Sequence, residues 1–416
     1  MSSCFGALCF LFLAFLAGAD GLYLKPKGDR VLQALAESYS ESKMHRRVNE
    51  GSDPEMEVVR LAAMLRDVAN IENFTATQLS PVGAEFSCPR LEPSPEVPQS
   101  VHQLRPSDIK VIGALGDSIS AAFLSMAETV LDVILVREYV GNSWSIGSDY
   151  GDPTEAATLA NFLGYYNENL RGSSTGTCRV LQSGTDNCRN GNFNTAKSAA
   201  KARAMLGQAE RLVALMQADP DVNIEEDWKV VTLWIGGNDL CQFCNNNNRG
   251  ATPEEYEEYL TQALDYLHEN LPRTFVNLVS IIDVAMLQEV SSDIRCTLFH
   301  LFECSCLDRQ EQLTEYALEY RSRMHEVIDS GRYDTKDDFT VVIQPFYEEA
   351  FLPENPIDYF AADCFHFNSK GQAVAAVSLW NNMVEPVGSK STQLAIDLEA
   401  KCPQEPYYLF TKKNSV

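Results

Sequence analysis

Basic residues and histidine are scarce in this sequence. Its 416 residues include 33 Lys and Arg against 58 Asp and Glu, which gives a formal net charge of −25 at pH 7. Nucleic acid and anionic lipid attract proteins through clustered Lys and Arg, so this balance argues against both as electrostatic partners. Only six His are present and none stands beside an Asp-rich motif, so a dinuclear metal site is hard to build.

Long apolar runs are also absent after the first twenty residues. The run at 7–16 is followed by Ala17-Gly18-Ala19, and this pattern predicts a signal peptide over 1–19 that is cleaved after Ala19. No Lys or Arg precedes the run, which leaves an uncleaved anchor as the alternative. We expect a secreted, extracellular protein.

Cysteine is plentiful by comparison. Of twelve Cys, Cys4 and Cys9 fall in the signal peptide, and an even number of ten in an exported chain predicts disulfides. The close spacing of the cysteines at 178 and 188, and of those at 241 and 244, leaves zinc binding as an alternative, although no His lies at ligand spacing beside either pair. The sequence does not determine the pairing. One acceptor motif, Asn73-Phe74-Thr75, predicts a glycan. The ten cysteines are Cys88, Cys178, Cys188, Cys241, Cys244, Cys296, Cys304, Cys306, Cys364 and Cys402.

Composition divides the rest of the chain into four segments. Residues 20–87 mix helical patterning with charged breakers and predict an N-terminal helical extension or pro-segment. Five prolines fall in 88–107, and because proline breaks helices this segment is interpreted as a Pro-rich strap. The main domain is expected at 108–390, and 391–416 is expected to be a C-terminal tail packed on that domain.

Apolar runs alternate with amphipathic stretches through the main domain. The runs at 109–115, 230–235, 275–284 and 339–343 read as strands, and the stretches at 121–136, 254–271, 310–328 and 371–384 read as helices. This rhythm is typical of a parallel sheet with crossover helices. The sequence therefore predicts an α/β fold with a doubly wound parallel sheet flanked by helices.

Three motifs follow apolar runs, where the carboxyl ends of parallel strands gather functional groups. They are Gly116-Asp117-Ser118, Gly236-Gly237-Asn238-Asp239 and Asp363-Cys364-Phe365-His366. A serine needs a base to remove its proton, so we predict Ser118 as nucleophile, His366 as general base and Asp363 as the group that orients it. A neutral amide after two glycines suits an oxyanion donor, a role that we predict for Asn238.

Each motif taken alone has a simpler interpretation. The first is also an ordinary turn that ends a strand, the second a turn-forming Asn-Asp pair, and the third a loop that carries a surface histidine. Their joint occurrence at strand ends favours the hydrolase interpretation. The stretch 172–176 formally matches G-x-S-x-G, but no strand precedes it, so Ser174 is not predicted as the nucleophile.

From 88 to its end the chain resembles the SGNH, or GDSL, hydrolases and is most similar to their phospholipase B branch. The resemblance implies the flavodoxin-like three-layer fold of that family, a Ser118, Asp363 and His366 triad, an oxyanion hole that includes the Ser118 N–H and Asn238, no metal and no cofactor. It also implies hydrolysis of acyl esters in phospholipids and lysophospholipids, in micelles or membranes. The stretches that carry it are Phe86-Ser87-Cys88-Pro89, Gly116-Asp117-Ser118-Ile119, Ser143-Trp144-Ser145-Ile146-Gly147, Asp227-Trp228-Lys229, Gly236-Gly237-Asn238-Asp239-Leu240-Cys241 and Arg273-Thr274-Phe275-Val276-Asn277-Leu278.

One block departs from the family pattern. The family's second block reads Asn-x-Ala-x-x-Gly-Ala and its glycine N–H completes the oxyanion hole, whereas this chain has Ala199 at the glycine's place, five residues after Asn194. Alanine keeps the N–H, but its methyl group would be unfavourable if the backbone there has a positive φ. Gly147 is the fallback donor.

Two other functions remain open at this stage. The first is an esterase that acts on another ester, such as an acetylated glycan or a small lipid, since the triad does not choose the substrate. The second, which Ala199 favours, is a secreted binding protein that has kept the scaffold and lost turnover. Oligomeric state is not encoded in any motif.

Overall fold

The fold is described from a computed structural model of the chain. It describes residues 80–127, 137–179, 188–245, 251–290 and 294–415. The predicted signal peptide at 1–19, the predicted glycan at Asn73 and nearly all of the predicted extension at 20–87 lie outside these residues.

A parallel sheet forms the centre of the domain. Its four strands run in the order β1-β4-β5-β6, and a two-stranded antiparallel ribbon pairs β2 with β3. On the open side of β1, isolated bridges join Val111 to Arg171 and Ala114 to Asn194, so β1 has neighbours on both sides. The strands are β1 (Ile109–Gly116), β2 (Arg137–Glu138), β3 (Cys178–Arg179), β4 (Trp228–Trp234), β5 (Thr274–Val279) and β6 (Phe339–Gln344).

Helices cover both faces of this sheet. On one face, Leu212 and Met216 of α2 lie where a side chain at Gly113 of β1 would point, at 3.0 Å from a Cβ built there. On the other face, Asn277 of β5 donates to Met383 of α7. The helices are α1 (Leu159–Tyr166), α2 (Met205–Ala218), α3 (Gly237–Leu240), α4 (Pro253–Asn270), α5 (Ile294–Glu303), α6 (Gln310–Asp329) and α7 (Ser369–Met383).

The prediction of a doubly wound parallel α/β sheet in three layers is confirmed. All four predicted strands exist, although the third ends at Val279 instead of 284. The helix predicted at 254–271 starts with a capping box between Thr252 and Glu255, so the acidic run 254–258 lies in and after its first turn.

One predicted helix is wrong over its described part. Residues 121–127 form turns rather than the start of a helix over 121–136, and the remainder lies outside the described residues. Ala122 and Leu124 have φ angles of 53° and 57°, in the left-handed region that a right-handed helix excludes. The apolar side chains of this segment are buried all the same, except for the half-buried Met126, which explains the amphipathic pattern.

Five disulfides include all ten cysteines beyond the signal peptide, so the zinc alternative is set aside. The first joins the segment before β1 to the tail, over a sequence separation of 314 residues. Two join the segment after α3 to the end of α5, and one joins α5 to the loop before α7. The pairs are Cys88 with Cys402, Cys178 with Cys188, Cys241 with Cys304, Cys244 with Cys306 and Cys296 with Cys364.

No helix in the described residues is both long enough and apolar enough to cross a bilayer.

Candidate active site

Ser118 lies in a tight turn directly after β1. Gly116 ends the strand with a φ of 158°, and a Cβ at this position would meet the carbonyl oxygen of Trp234 at 2.7 Å, so only glycine fits. The amide of Gln208 holds both backbone groups of Gly116, at 2.9 Å each. Asp117 then accepts the N–H of Ile119 at 3.0 Å. These contacts fix Ser118 at the carboxyl edge of the sheet.

Asp363 and His366 meet across a turn in the loop between β6 and α7. Cys364, between them, has a φ of 59°, which reverses the chain within one residue. One carboxylate oxygen of Asp363 accepts the N–H groups of Phe365 and His366 at 3.1 and 3.0 Å. The other accepts from His366 Nδ1 at 2.6 Å.

The three predicted triad residues form one hydrogen-bonded chain. Because Asp363 accepts at Nδ1, the neutral imidazole of His366 presents Nε2 as an acceptor, and Ser118 Oγ donates to it at 2.8 Å. Ser118, Asp363 and His366 are all buried, with exposed fractions of 5%, 1% and 4%. The structure therefore brings together residues that are far apart in the sequence, in the geometry that activates a serine.

Asn238 lies beside the segment that contains Ala199. It is the second residue of α3, and its side-chain amide donates to the carbonyl of Ala200 at 3.0 Å. This bond uses one amide hydrogen and leaves the other for a ligand. The N–H of Lys197 donates to the carbonyl of Gly116 at 3.2 Å, which ties the same segment to the turn of Ser118.

A scan against family models matches residues 112–379 to "GDSL-like Lipase/Acylhydrolase". The chain belongs to this GDSL-like lipase/acylhydrolase family. The predicted resemblance is thereby confirmed.

Among curated proteins, the chain is similar to "Phospholipase B1, membrane-associated" of three mammals. In Mus musculus the identity is 40% over 370 residues, and in Homo sapiens it is 42% over 354 residues.

These relatives are much longer than this GDSL-like chain. The alignments cover 82% and 80% of the chain, but only 24% of the mouse and human proteins alike. The chain therefore spans about a quarter of the length of the curated relatives that it matches. A solved structure described as a GDSL-like lipase from Parabacteroides merdae ATCC 43184 is 15% identical and has a TM-score of 0.36, covering 65% of this chain and 93% of that one.

Ala199 stands at the family's glycine position with a φ of 62°. Left-handed backbone costs a residue with a Cβ about 1–2 kcal/mol, so the alanine is strained here. In the described part of the chain, the N–H groups of Ser118 and Ala199 have no acceptor. Both donors are thus available to a bound oxyanion, which keeps Ala199 as a candidate for the oxyanion hole.

Two further serine and glycine candidates are engaged elsewhere. The N–H of Gly147 donates to the carbonyl of Ser143 at 2.8 Å, so the fallback oxyanion donor is already occupied. The hydroxyl of Ser174 donates to the carbonyl of Gly191 at 2.7 Å, in agreement with its exclusion as nucleophile.

Burial and neighbouring charges oppose each other in the acid–base pair. Burial lowers the pKa of His366, but the negative charges of Asp363, Glu303 and Asp117 outweigh it and the pKa lies above its usual value. Burial also works against ionised Asp363, but His366 and the N–H donors around it hold the pKa of this carboxyl below its usual value. Asp363 is therefore ionised at neutral pH, as an orienting carboxylate must be.

Two buried carboxyl groups lie in the motifs themselves. Burial raises the pKa of Asp117 to about 6 and that of Asp239 to about 7. Asp239 also accepts the N–H of Ala202 at 3.0 Å. The residue after Asn238 thereby provides a second link between α3 and the segment with Ala199.

Sequence reasoning missed Glu303, the last residue of α5. One carboxyl oxygen of Glu303, one of Asp363 and one ring nitrogen of His366 lie within 4.8 Å of one another, a spacing that a metal ion can bridge. Both ring nitrogens of His366 already bond to Ser118 and Asp363, so a metal on the ring would break the triad. No motif marks Glu303, because a helix from elsewhere in the chain brings it to the site.

Proposed function

We propose that this protein is a secreted serine esterase that hydrolyses acyl esters of phospholipids and lysophospholipids. The observation that carries the proposal is the hydrogen-bonded chain from Ser118 through His366 to Asp363, next to two unengaged backbone N–H groups. Membership of an acylhydrolase family supports the reaction class.

Acylation would begin at Ser118. His366 Nε2 takes the hydroxyl proton as Oγ attacks the ester carbonyl, and Asp363 stabilises the imidazolium that forms. The oxyanion of the tetrahedral intermediate receives N–H groups from Ser118, Ala199 and Asn238. His366 then returns the proton to the leaving alcohol oxygen, and the acyl group stays on Ser118.

Deacylation would repeat these steps with water. His366 takes a proton from the water, whose oxygen attacks the acyl carbonyl, and then returns it to Ser118 Oγ as the carboxylic acid leaves. The raised pKa of His366 favours proton uptake in both half-reactions.

An apolar cluster supports a lipid substrate. Phe123, Leu124, Ala127 and Ala361 form a buried cluster separate from the main core, with Tyr139 packed against it. The ring of Phe123 lies at 4.7 Å from that of His366, measured between centroids. Apolar side chains directly beside the base are suited to an acyl chain, and the names of the phospholipase B1 relatives support the same substrate class.

Secretion is supported by cysteine chemistry. Five disulfides persist only in an oxidising compartment in most organisms, and the predicted signal peptide at 1–19 would deliver the chain there.

A fluorophosphonate probe tests the reaction class, because it labels only an activated serine. We expect labelling of the wild-type chain and none of Ser118→Ala. Ser174→Ala is the matched control, because Ser174 is equally buried but bonds to a backbone carbonyl. Well-folded wild-type protein that resists the probe would favour the binding function instead.

A comparison of products tests the substrate class. Purified protein is given phosphatidylcholine, lysophosphatidylcholine and an acetylated glycan, and the release of long-chain fatty acid is compared with that of acetate. We expect fatty acid from both lipids and loss of this activity in Ser118→Ala. Release of acetate alone would end the lipid proposal while leaving the esterase in place.

A further inference from the structure

A second carboxyl group lies next to the pair formed by Asp363 and His366. The carboxyl of Glu303 is within 4.8 Å of both the Asp363 carboxylate and the His366 ring. In the described part of the chain, no hydrogen-bond donor engages it. The triad as predicted from the sequence needs one carboxylate, so the second requires its own explanation.

Disulfides fix α5 close to both halves of the site. At its start, Cys296 is bonded to Cys364, the residue between Asp363 and His366. One turn before its end, His300 Nε2 lies at 2.8 Å from the carbonyl oxygen of Cys364. Directly after Glu303, Cys304 is bonded to Cys241, which follows α3. Glu303 is therefore held beside the triad from two directions.

Stability alone disfavours a carboxylate at this position. Glu303 ends a helix, where the negative end of the helix dipole repels an anion. Burial raises the pKa of its carboxyl to about 7. Glutamine would have the same shape without this cost, so the retained carboxyl group is better explained by its effect on the neighbouring ring.

We propose that Glu303 is a positioning residue for the general base, whose carboxylate stabilises the imidazolium of His366 together with Asp363. The proposal rests on the proposed function, since the imidazolium forms when Ser118 gives up its proton. The proton itself passes from Ser118 Oγ to His366 Nε2 and on to the leaving oxygen. Glu303 accepts no proton in the step and contributes only negative charge.

Three titratable groups surround the His366 ring, each from a different element, and a fourth lies next to Asp363. Asp363 faces it from the same loop, Glu303 from α5 and Asp117 from the turn after β1. His300, also on α5, faces Asp363, but burial lowers its pKa and favours the neutral form. A protonated His366 favours ionisation of Glu303, so that these two groups titrate as a pair.

Glu303→Gln tests the charge without changing the shape. In the full chain we expect kcat on a soluble ester to fall about tenfold with KM unchanged, because the charge acts on the transition state. The pH at which activity reaches half its maximum should also fall by roughly half to one unit, since the imidazolium loses a stabilising charge. Glu319→Gln, an exposed carboxyl on α6, is the matched control and should change neither quantity.

Loss of rate with an unchanged pH midpoint and a lower Tm would overturn the proposal in favour of a structural role. Unchanged rate and midpoint would overturn it as well. Glu303→Asp retains the charge on a shorter side chain and should restore part of the shift in the midpoint.

An NMR titration separates this inference from the proposed function. The imidazole pKa of His366 is measured in Ser118→Ala, which cannot turn over substrate, and in the double variant that also carries Glu303→Gln. The signal of His366 is assigned by its loss in His366→Gln. We expect a lower pKa when Glu303 is replaced, even if the wild-type chain should resist the fluorophosphonate probe. An identical titration would reject the role of Glu303, whatever the protein hydrolyses.

Discussion

The two halves of the candidate site are held in place by different means. The turn with Asp363 and His366 is fixed by a disulfide at Cys364, a bond from His300 and two N–H donors to one carboxylate oxygen. The segment 197–202 contains no cysteine, and among its contacts are hydrogen bonds to Gly116, Glu138, Asn238 and Asp239.

Both halves must be in place before the reaction, although they are held differently. Proton transfer requires a base at a fixed distance from the nucleophile, and an oxyanion donor must already point to where the negative charge develops. A disulfide contributes to this placement in the first half, and hydrogen bonds contribute to it in the second. Strain is present in both halves, at Cys364 and at Ala199.

Asp363→Asn should give the largest effect, because it breaks the firmly held half. Asparagine presents an N–H₂ group or a weaker acceptor to Nδ1, which disturbs the tautomer that Ser118 needs. We expect kcat to fall by about 10⁴-fold with the fold retained. Activity is lost as His366 gains its proton, so the pH at half-maximal activity reports the pKa of this residue. In wild type this pH should lie above the ordinary histidine pKa of 6.5. In the variant it should be lower than in wild type, because the charge of Asp363 is gone.

Initial rates across pH 5–9 measure both quantities. Asp358→Asn, in the same loop but outside the triad, is the control and should behave as wild type. A variant at Asp363 that keeps its rate within a few-fold would remove this residue from the mechanism.

Replacement of the Cys296–Cys364 disulfide tests whether it anchors the turn that contains Asp363 and His366. The Cys296→Ser and Cys364→Ser double variant opens a loop with a sequence separation of 68 residues, and we expect it to lose about 4 kcal/mol of unfolding free energy. Rate should fall as well, because Cys364 shapes the triad turn. Removal of Cys178–Cys188, which spans 10 residues, is the control and should leave kcat unchanged.

Equal losses of kcat in the two disulfide variants, measured at a temperature where both are folded, would contradict the assignment of Cys296–Cys364 to the triad turn. The free energy of unfolding is measured by denaturant titration, with tryptophan fluorescence as the signal.

Asn238→Ala tests the hydrogen-bonded half. It removes both the proposed oxyanion donor and the bond to the carbonyl of Ala200. We expect kcat to fall by about 10²–10³, or about 3 kcal/mol, with a small change in KM. Asn169→Ala, an exposed amide after α1, controls for the loss of an amide side chain. A loss confined to KM would mean that Asn238 binds substrate without stabilising the oxyanion.

The sequence predicted the parts of this molecule that depend on local pattern. The four apolar runs form strands, and the amphipathic stretch predicted as a helix at 254–271 forms α4. The motifs that follow strands lie at one edge of the sheet, because the carboxyl ends of parallel strands meet there. The alternation of runs and stretches predicted the α/β fold, the family resemblance added its three-layer arrangement, and the structure confirms both.

Features that depend on long-range packing were beyond prediction. The turns at 121–127 have the amphipathic pattern of a helix, and only the positive φ of Ala122 and Leu124 distinguishes them. Glu303 reaches the triad because two disulfides hold α5 there, and neither pairing follows from cysteine spacing. The family pattern shows that the φ angle at Ala199 matters, but its positive value depends on how the whole segment packs.

Ala199→Gly should have the smallest effect on rate and stability. It tests whether the hydrogen-bonded segment 197–202 needs the restraint that an alanine gives. Glycine removes the left-handed strain of about 1–2 kcal/mol, but it also adds entropy to the unfolded chain, so we expect a net gain of at most about 1 kcal/mol. The rate should rise a few-fold, because the methyl group no longer crowds an N–H that faces the oxyanion. Ala122→Gly is the matched control, since Ala122 has a φ of 53° and no proposed role in catalysis. It should gain similar stability at an unchanged rate. A slower Ala199→Gly enzyme would instead mean that the alanine restrains the segment in its active conformation, so that the hydrogen-bonded half, too, depends on rigidity.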